Sequence, residues 1–279
     1  SRHPELFCSG HGSNIADLSQ ELNEFYGSMI NMDDPKHARM RRIVSRGFTP
    51  RQLDQMKGDV EATAAGIVDE MIERGEGDFV PDIAAILPLR IIVDMMGIPR
   101  SQEKFIFECT NVILGLGDPE YVPDQTASGI MGALLTAARD LSLLITELGE
   151  ARVKDPKDDV TSALVTAEVD GETLSPAELA SFFILLVVAG NETTRNAISH
   201  GLLALTEHPE ERDKWIADFD AKAPAAVKET VRWATPVIHF RRTVTQDGAR
   251  IGEQTFNEGD KVVLWYCSAN RDAAVFVDP

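Results

Sequence analysis

The sequence predicts a mainly α-helical protein with a small β region near its end, and three observations carry that prediction. Apolar residues recur at three- and four-residue spacing through most of the first two-thirds of the chain. One long apolar helix has strong start and stop signals. After Trp233 the pattern changes to short β-rich runs separated by Asp247-Gly248 and Glu258-Gly259.

Taken in chain order, Asp34 caps a helix whose first position is Pro35. Helical periodicity then covers 53–72, 83–96, 130–153 and 160–167, with Asp158 and Asp159 where an N-cap belongs. Asp170-Gly171 signals a tight turn and a small hairpin within 169–174. Ser175-Pro176-Ala177-Glu178 reads as an N-cap, a proline at the first helical position and the glutamate of a capping box, so the next helix starts at Pro176. From Leu179 through Phe182, Phe183, Leu185, Leu186, Val187 and Val188 it has almost no polar face, which predicts burial on all sides. His208-Pro209 closes it. A further helix is predicted over 223–233, followed by strands at 238–244, 250–251, 255–256 and 261–266. No internal repeat or Gly/Ser linker divides the chain, so a single domain over 1–279 is expected.

With 279 residues and 43% hydrophobic content the chain can bury a large core. A net charge of -18 argues against a nucleic-acid or anionic-membrane partner, which would be repelled at long range. No membrane anchor is expected, since the apolar stretch 182–189 runs into Asn191 and Glu192. Cys8, Cys109 and Cys267 are odd in number and widely separated, which predicts no disulfide framework and fits a reducing cytoplasm. The Ser1-Arg2-His3 start carries no export signal and reads like the inside of a longer sequence.

The most informative stretch is Ala189-Gly190-Asn191-Glu192-Thr193-Thr194, a polar interruption inside the apolar helix. Gly190 costs about 1 kcal/mol there relative to alanine, and a carboxyl and hydroxyl facing a core need partners or a ligand. Glu192 and Thr193 read as an acid whose pKa is raised by burial and a proton relay. Equally, Thr193 bonds back to the carbonyl one turn earlier while Glu192 reaches an edge. His37 and Arg41 are four apart and share a face able to grip a carboxylate or phosphate, or simply form a solvated basic face. Glu229 and Arg232, three apart, read as an internal ion pair. Strand alternation turns one of Arg241 and Arg242 inward.

In this order the motifs resemble the cytochromes P450, through essentially the whole chain. Asp34-Pro35 with His37, Arg41 and Phe48-Thr49-Pro50 resembles the helix that holds a haem propionate. The stretch from Ala189 to Thr194 resembles the oxygen-binding groove, with Ala189 and Gly190 as its small pair and Glu192 and Thr193 as acid and alcohol. Glu229 and Arg232 match the structural Glu-x-x-Arg pair, and Arg242 matches a propionate-binding arginine. Ser268-Ala269-Asn270-Arg271-Asp272 resembles the segment before the haem-binding loop. The resemblance implies a P450 fold incomplete at both ends: an internal portion without the amino-terminal region, its cysteine ligand expected beyond Pro279.

The resemblance also implies haem b as cofactor, O2 and a small apolar molecule as substrates, and a ferredoxin with its reductase as electron donors. Within the family, Phe25-Tyr26-Gly27-Ser28-Met29-Ile30, Met95-Met96-Gly97-Ile98-Pro99 and the segments 182–194 and 262–272 are most similar to actinobacterial enzymes. These hydroxylate terminal methyl groups of branched lipids and sterol side chains. Ile30, Leu185, Val188, Val237 and Ile238 are candidate linings of an apolar channel, or ordinary core. The expected activity is a haem-thiolate monooxygenase of the cytoplasm. A haem-free protein that sequesters a lipid is the alternative, and a hydrolase using Glu192 is a third with no accompanying nucleophile or oxyanion motif.

Overall fold

Helical periodicity in the sequence becomes eleven α-helices in the computed structural model, which describes residues 3–277. Ser1-Arg2 and Asp278-Pro279, on which the reading of the two chain ends rests, lie outside the described residues. The helices are α1 (Gln20–Gly27), α2 (Lys36–Val44), α3 (Pro50–Arg74), α4 (Ile86–Met96), α5 (Glu103–Leu114), α6 (Ala127–Lys154), α7 (Val160–Thr166), α8 (Pro176–Glu207), α9 (Pro209–Ala217), α10 (Phe219–Ala234) and α11 (Tyr266–Ala269). The strands are β1 (Phe7–Cys8), β2 (His239–Val244), β3 (Ala249–Ile251), β4 (Gln254–Phe256) and β5 (Lys261–Trp265).

The capping chemistry works as the sequence implies. Ser175 Oγ accepts from the Glu178 amide at 3.2 Å while the Glu178 carboxylate accepts from the Ser175 amide at 2.8 Å, which closes both halves of the capping box of α8. Asp159 caps α7 through the Ser162 amide at 2.7 Å. Asp34 accepts from the Ala38 amide at 3.1 Å, although α2 proper begins one residue after Pro35. Between Val169 and Glu172 the predicted hairpin is one pair of bridging residues, with Asp170 and Gly171 both at positive φ. The helix expected over 83–96 instead opens with a π-helical turn at Val80–Ala84, where the Ala85 amide reaches back to the Val80 carbonyl.

α8 runs through the middle of the helical body, against α1, α4, α5, α6 and α10. Phe183 from α8, Ile106 from α5, Leu141 and Ile145 from α6, Leu164 from α7 and Met40 from α2 share one fully buried core. The expectation of burial on all sides needs correction. α8 is buried from Leu179 to Ile184, but Leu185, Leu186 and Val188 are half-buried, Leu202 is 45% exposed where it borders a hollow, and Leu203 is 52% exposed. A second correction concerns spanning length: α6 and α8 are each long and apolar enough, by length and composition only, to cross a membrane. The two pack against each other, and α8 carries the polar cluster.

β2 is the centre of the main sheet, antiparallel to β5 through His239↔Trp265 to Thr243↔Lys261 and to β1 through Phe7↔Val244. β3 and β4 form a separate hairpin. The predicted strand end at Tyr266 is corrected, because Tyr266 and Cys267 begin α11. Alternation turns Arg241 inward, where it is 1% exposed. Its guanidinium donates to the carbonyls of His11, Gly12 and Ile15 and pairs with Asp17 Oδ1 at 2.6 Å. Lys261 Nζ holds the other Asp17 oxygen at 2.7 Å.

These two bonds, that of Lys261 first and that of Arg241 second, draw the Asp17 carboxyl down from 3.8 to about 2. A depressed folded-state pKa means stability that is present above the unfolded value and lost as pH falls through the folded one. The stability gap between wild type and Asp17→Asn is therefore expected to hold steady above about pH 4 and to close as pH falls toward about 2. Denaturant midpoints measured across that range check it, and a gap that widens on acidification contradicts it.

Candidate haem-binding groove and proton-handling pair

α8 stays α-helical through its polar interruption. Thr193 Oγ1 donates to the Ala189 carbonyl at 2.7 Å, so of the two readings open for this hydroxyl the structure takes the back-bond. Glu192 is not the isolated buried carboxyl expected from the sequence. Its Oε2 is paired with the Arg195 guanidinium, its Oε1 accepts from Asn196 Nδ2 at 3.0 Å, and its side chain is 24% exposed. Arg195 in turn donates to Asn111 Oδ1 of α5 at 3.1 Å. Asn191, one turn before Arg195, is buried with its Oδ1 unpaired among the described residues, as is Arg195 Nε.

Sequence reasoning missed Arg195, Asn196 and Asn111. The first two lie at i+3 and i+4 from Glu192, a spacing that signals contact on a helix. Asn111 stands 84 positions from Arg195 and gave no local signal.

Gly190 has a packing use that the sequence did not show. A Cβ built there meets Ile92 Cδ1 of α4 at 3.0 Å, so this glycine permits a close approach between α4 and α8. Gly201 does the same against α10, where a Cβ would meet Thr230 Cγ2 at 2.7 Å.

Beside the interruption lies a hollow of about 790 Å³, within the range of about 300–1,000 Å³ usual for ligand and cofactor sites. Thr193, Thr194 and Ile198 of α8 line it with Trp215 of α9, Val231 of α10 and Val237, on walls that are mostly apolar. Of the five apolar candidates, Val237 alone borders this hollow. Ile30 and Leu185 are half-buried outside it, Val188 packs against the main core, and Ile238 is 56% exposed.

The cations behave differently from one another. Glu229 and Arg232 form the expected pair, with two bonds at 2.6 and 2.8 Å, and Arg232 also donates to the Asn270 carbonyl. The Arg232 bonds hold the Glu229 carboxyl below its usual range. Most arginines of this acidic chain are similarly engaged. Arg41 and Arg242 have no carboxylate partner among the described residues. Arg41 is exposed on α2, and Arg242 donates only to the Arg241 carbonyl at 2.7 Å. His37 stands 3.5 Å from Asp34. No hydrogen bond or ion pair joins these cations to one another or to Glu192 among the described residues.

Arginines without a carboxylate in a strongly acidic protein fit a flat apolar group that bears carboxylates of its own, and haem is such a group, although none of His37, Arg41 and Arg242 lines the hollow. Its iron ligand is a separate matter. Cys8 is buried in β1, Cys109 is buried in α5 with its thiol pushed up to about 11 by desolvation, and Cys267 lies in α11.

A long central helix thus carries an acid–alcohol pair beside an apolar hollow within a mainly helical body. A family model described as Cytochrome P450 matches residues 130–222. The chain is 51% identical over its whole length to the methyl-branched lipid omega-hydroxylase of Mycobacterium tuberculosis and 39% identical to the steroid C26-monooxygenase of Rhodococcus jostii. It spans 64% and 58% of those proteins. A solved cytochrome P450 of Mycobacterium marinum, in complex with pseudoionone, superposes on 98% of the chain with a TM-score of 0.91 and 41% identity, the chain covering 66% of it. The chain belongs to the cytochrome P450 family.

Proposed function

We propose that this protein takes part in hydroxylation of an apolar lipid or sterol-like side chain, as a haem-dependent monooxygenase using O2 and electrons from a ferredoxin and its reductase in the cytoplasm. The observation that carries this reading is the Glu192–Thr193 pair, fixed on α8 at the edge of an apolar hollow, in a chain 51% identical to a lipid omega-hydroxylase. Haem, when bound, supplies the oxygen-activating centre.

The side chains supply binding and proton handling. His37, Arg41 and Arg242 would hold the propionates and neutralise charge that apolar walls cannot solvate. Thr193 has committed its own proton to the Ala189 carbonyl, so its oxygen acts as an acceptor and orients a water whose other proton faces the reaction. Glu192, a carboxylate kept in place by Arg195 and Asn196, would take up a proton from solvent and pass it to that water. The half-buried stretch around Leu185 and Val188 is the proposed apolar wall for the substrate.

A carbon-monoxide difference spectrum of the reduced, haem-loaded full-length protein tests the reading. The thiolate-type Soret band is expected, and binding of haem without that band contradicts a P450 oxygenation.

A further inference from the structure

Besides His37 and Arg41, α2 carries two other arginines, and both are engaged. Arg39 Nε pairs with Glu172 Oε2 at 2.7 Å, one terminal nitrogen pairs with Glu178 Oε1 at 2.6 Å, and the other donates to the Thr173 carbonyl at 2.9 Å. Arg42 reaches Asp170 Oδ2 at 3.1 Å. All four acceptors belong to the turn that leads into α8 or to its first helical turn. Glu178 is the capping-box glutamate itself, so one carboxylate both starts α8 and holds Arg39.

At about 100° per residue, Arg39 and Arg42 lie about 150° around the helix from His37 and Arg41. The buried stripe of Met40, Ile43 and Val44 runs between Arg39 and the His37 edge. Rolling α2 over that stripe would therefore move both edges together. A helix is about 10–12 Å across with its side chains, so a roll of about 20° shifts a group at its rim by about 2 Å, more than hydrogen-bond geometry tolerates.

We infer that Arg39 is a positioning residue for the cofactor: by clamping α2 to the capping box of α8, it sets the roll that aims His37 and Arg41 at the group they hold. The inference rests on the haem-binding reading above. Arg39 touches neither cofactor nor substrate and acts only through its neighbours on α2. It also gives the capping-box glutamate a second use, joining the helix that grips the cofactor to the helix that carries Glu192 and Thr193.

The test is the rate at which haem passes from holoprotein to an excess of a haem-scavenging apoglobin, followed at the Soret band. Loss of a group that orients a ligating side chain typically weakens binding about 10–100-fold, and Arg39→Ala is expected to speed haem loss by that order. Glu178→Gln keeps an acceptor for the Ser175 amide while removing the charge, so it separates the clamp from the cap and is expected to act in the same direction. Arg90→Ala removes a comparable inter-helix clamp, to Glu70 at 3.1 Å, and is expected to leave haem loss unchanged even if it lowers the unfolding midpoint equally.

In a His37→Ala, Arg41→Ala background, which itself should lose haem quickly, adding Arg39→Ala is expected to change nothing further. An Arg39→Ala protein that keeps haem as wild type does, or an undiminished effect in that background, overturns the inference while leaving the haem reading intact. A His37→Ala, Arg41→Ala protein that retains haem normally overturns both.

Discussion

Glu192→Gln in the haem-loaded protein is expected to lower formation of hydroxylated product by about 10²–10⁴-fold, the usual contribution of a positioned proton donor. Glutamine occupies nearly the same volume and can still accept from Asn196, so α8 and the hollow beside Thr193 keep their shape. What disappears is the ability to take up and pass on a proton, together with the negative charge opposite Arg195, whose side chain is only 13% exposed. Binding of substrate and of haem should be nearly unchanged, which places the effect in turnover rather than affinity. Product yield and oxygen consumption measured together check this. A variant that makes product within a few-fold of wild type would remove Glu192 from the proton path.

Arg241→Met is expected to destabilise the protein by about 3–5 kcal/mol, the range for removing one member of a buried charged network. Arg241 is 1% exposed and donates to three backbone carbonyls in the 11–15 segment as well as to Asp17. Methionine fills much of the volume but leaves those carbonyls without donors, each costing about 1–3 kcal/mol where water cannot replace it. The exposed Asp17 carboxylate, still held by Lys261, adds little. Arg241→Lys should recover only a small part, because one ammonium cannot reach acceptors spread around a planar fork. Chemical denaturation measures the loss, and hydrogen exchange should locate it first at the β1–β2 pairing. A loss below about 1 kcal/mol would mean that water substitutes for the guanidinium.

Local chemistry makes α8 legible in the amino-acid sequence. Its start depends on Ser175, Pro176 and Glu178 within four positions, its end on His208-Pro209, and its interest on six consecutive residues. The same holds for Asp159 as a cap, Glu229 with Arg232, and the turn at Asp170-Gly171, since in each case the partners lie within one turn of chain. β1 is not legible in this way: two residues, Phe7 and Cys8, become a strand only because Val244 and Thr243 lie opposite them. The uses of Gly190 and Gly201 are equally hidden, because what a Cβ would strike there belongs to α4 and α10.

The cations mark the same boundary. From the sequence alone His37, Arg39, Arg41 and Arg42 form one basic run, and the resemblance to the P450s singles out His37 and Arg41. Only the tertiary structure divides the run, placing Glu172, Glu178 and Asp170 opposite Arg39 and Arg42 and leaving Arg41 without a carboxylate among the described residues. Likewise alternation requires that one of Arg241 and Arg242 turn inward, but which one depends on the 11–17 segment packing over the sheet more than 220 positions away. By itself the sequence determined most of the long helices, the caps at Asp159 and Ser175, the polar interruption and the family, because those follow from spacing within a few residues, while α1, α9 and α11 were not legible in it. The tertiary structure decided which charges pair with one another and which are left without a carboxylate among the described residues, because that depends on partners that only folding brings within hydrogen-bond reach.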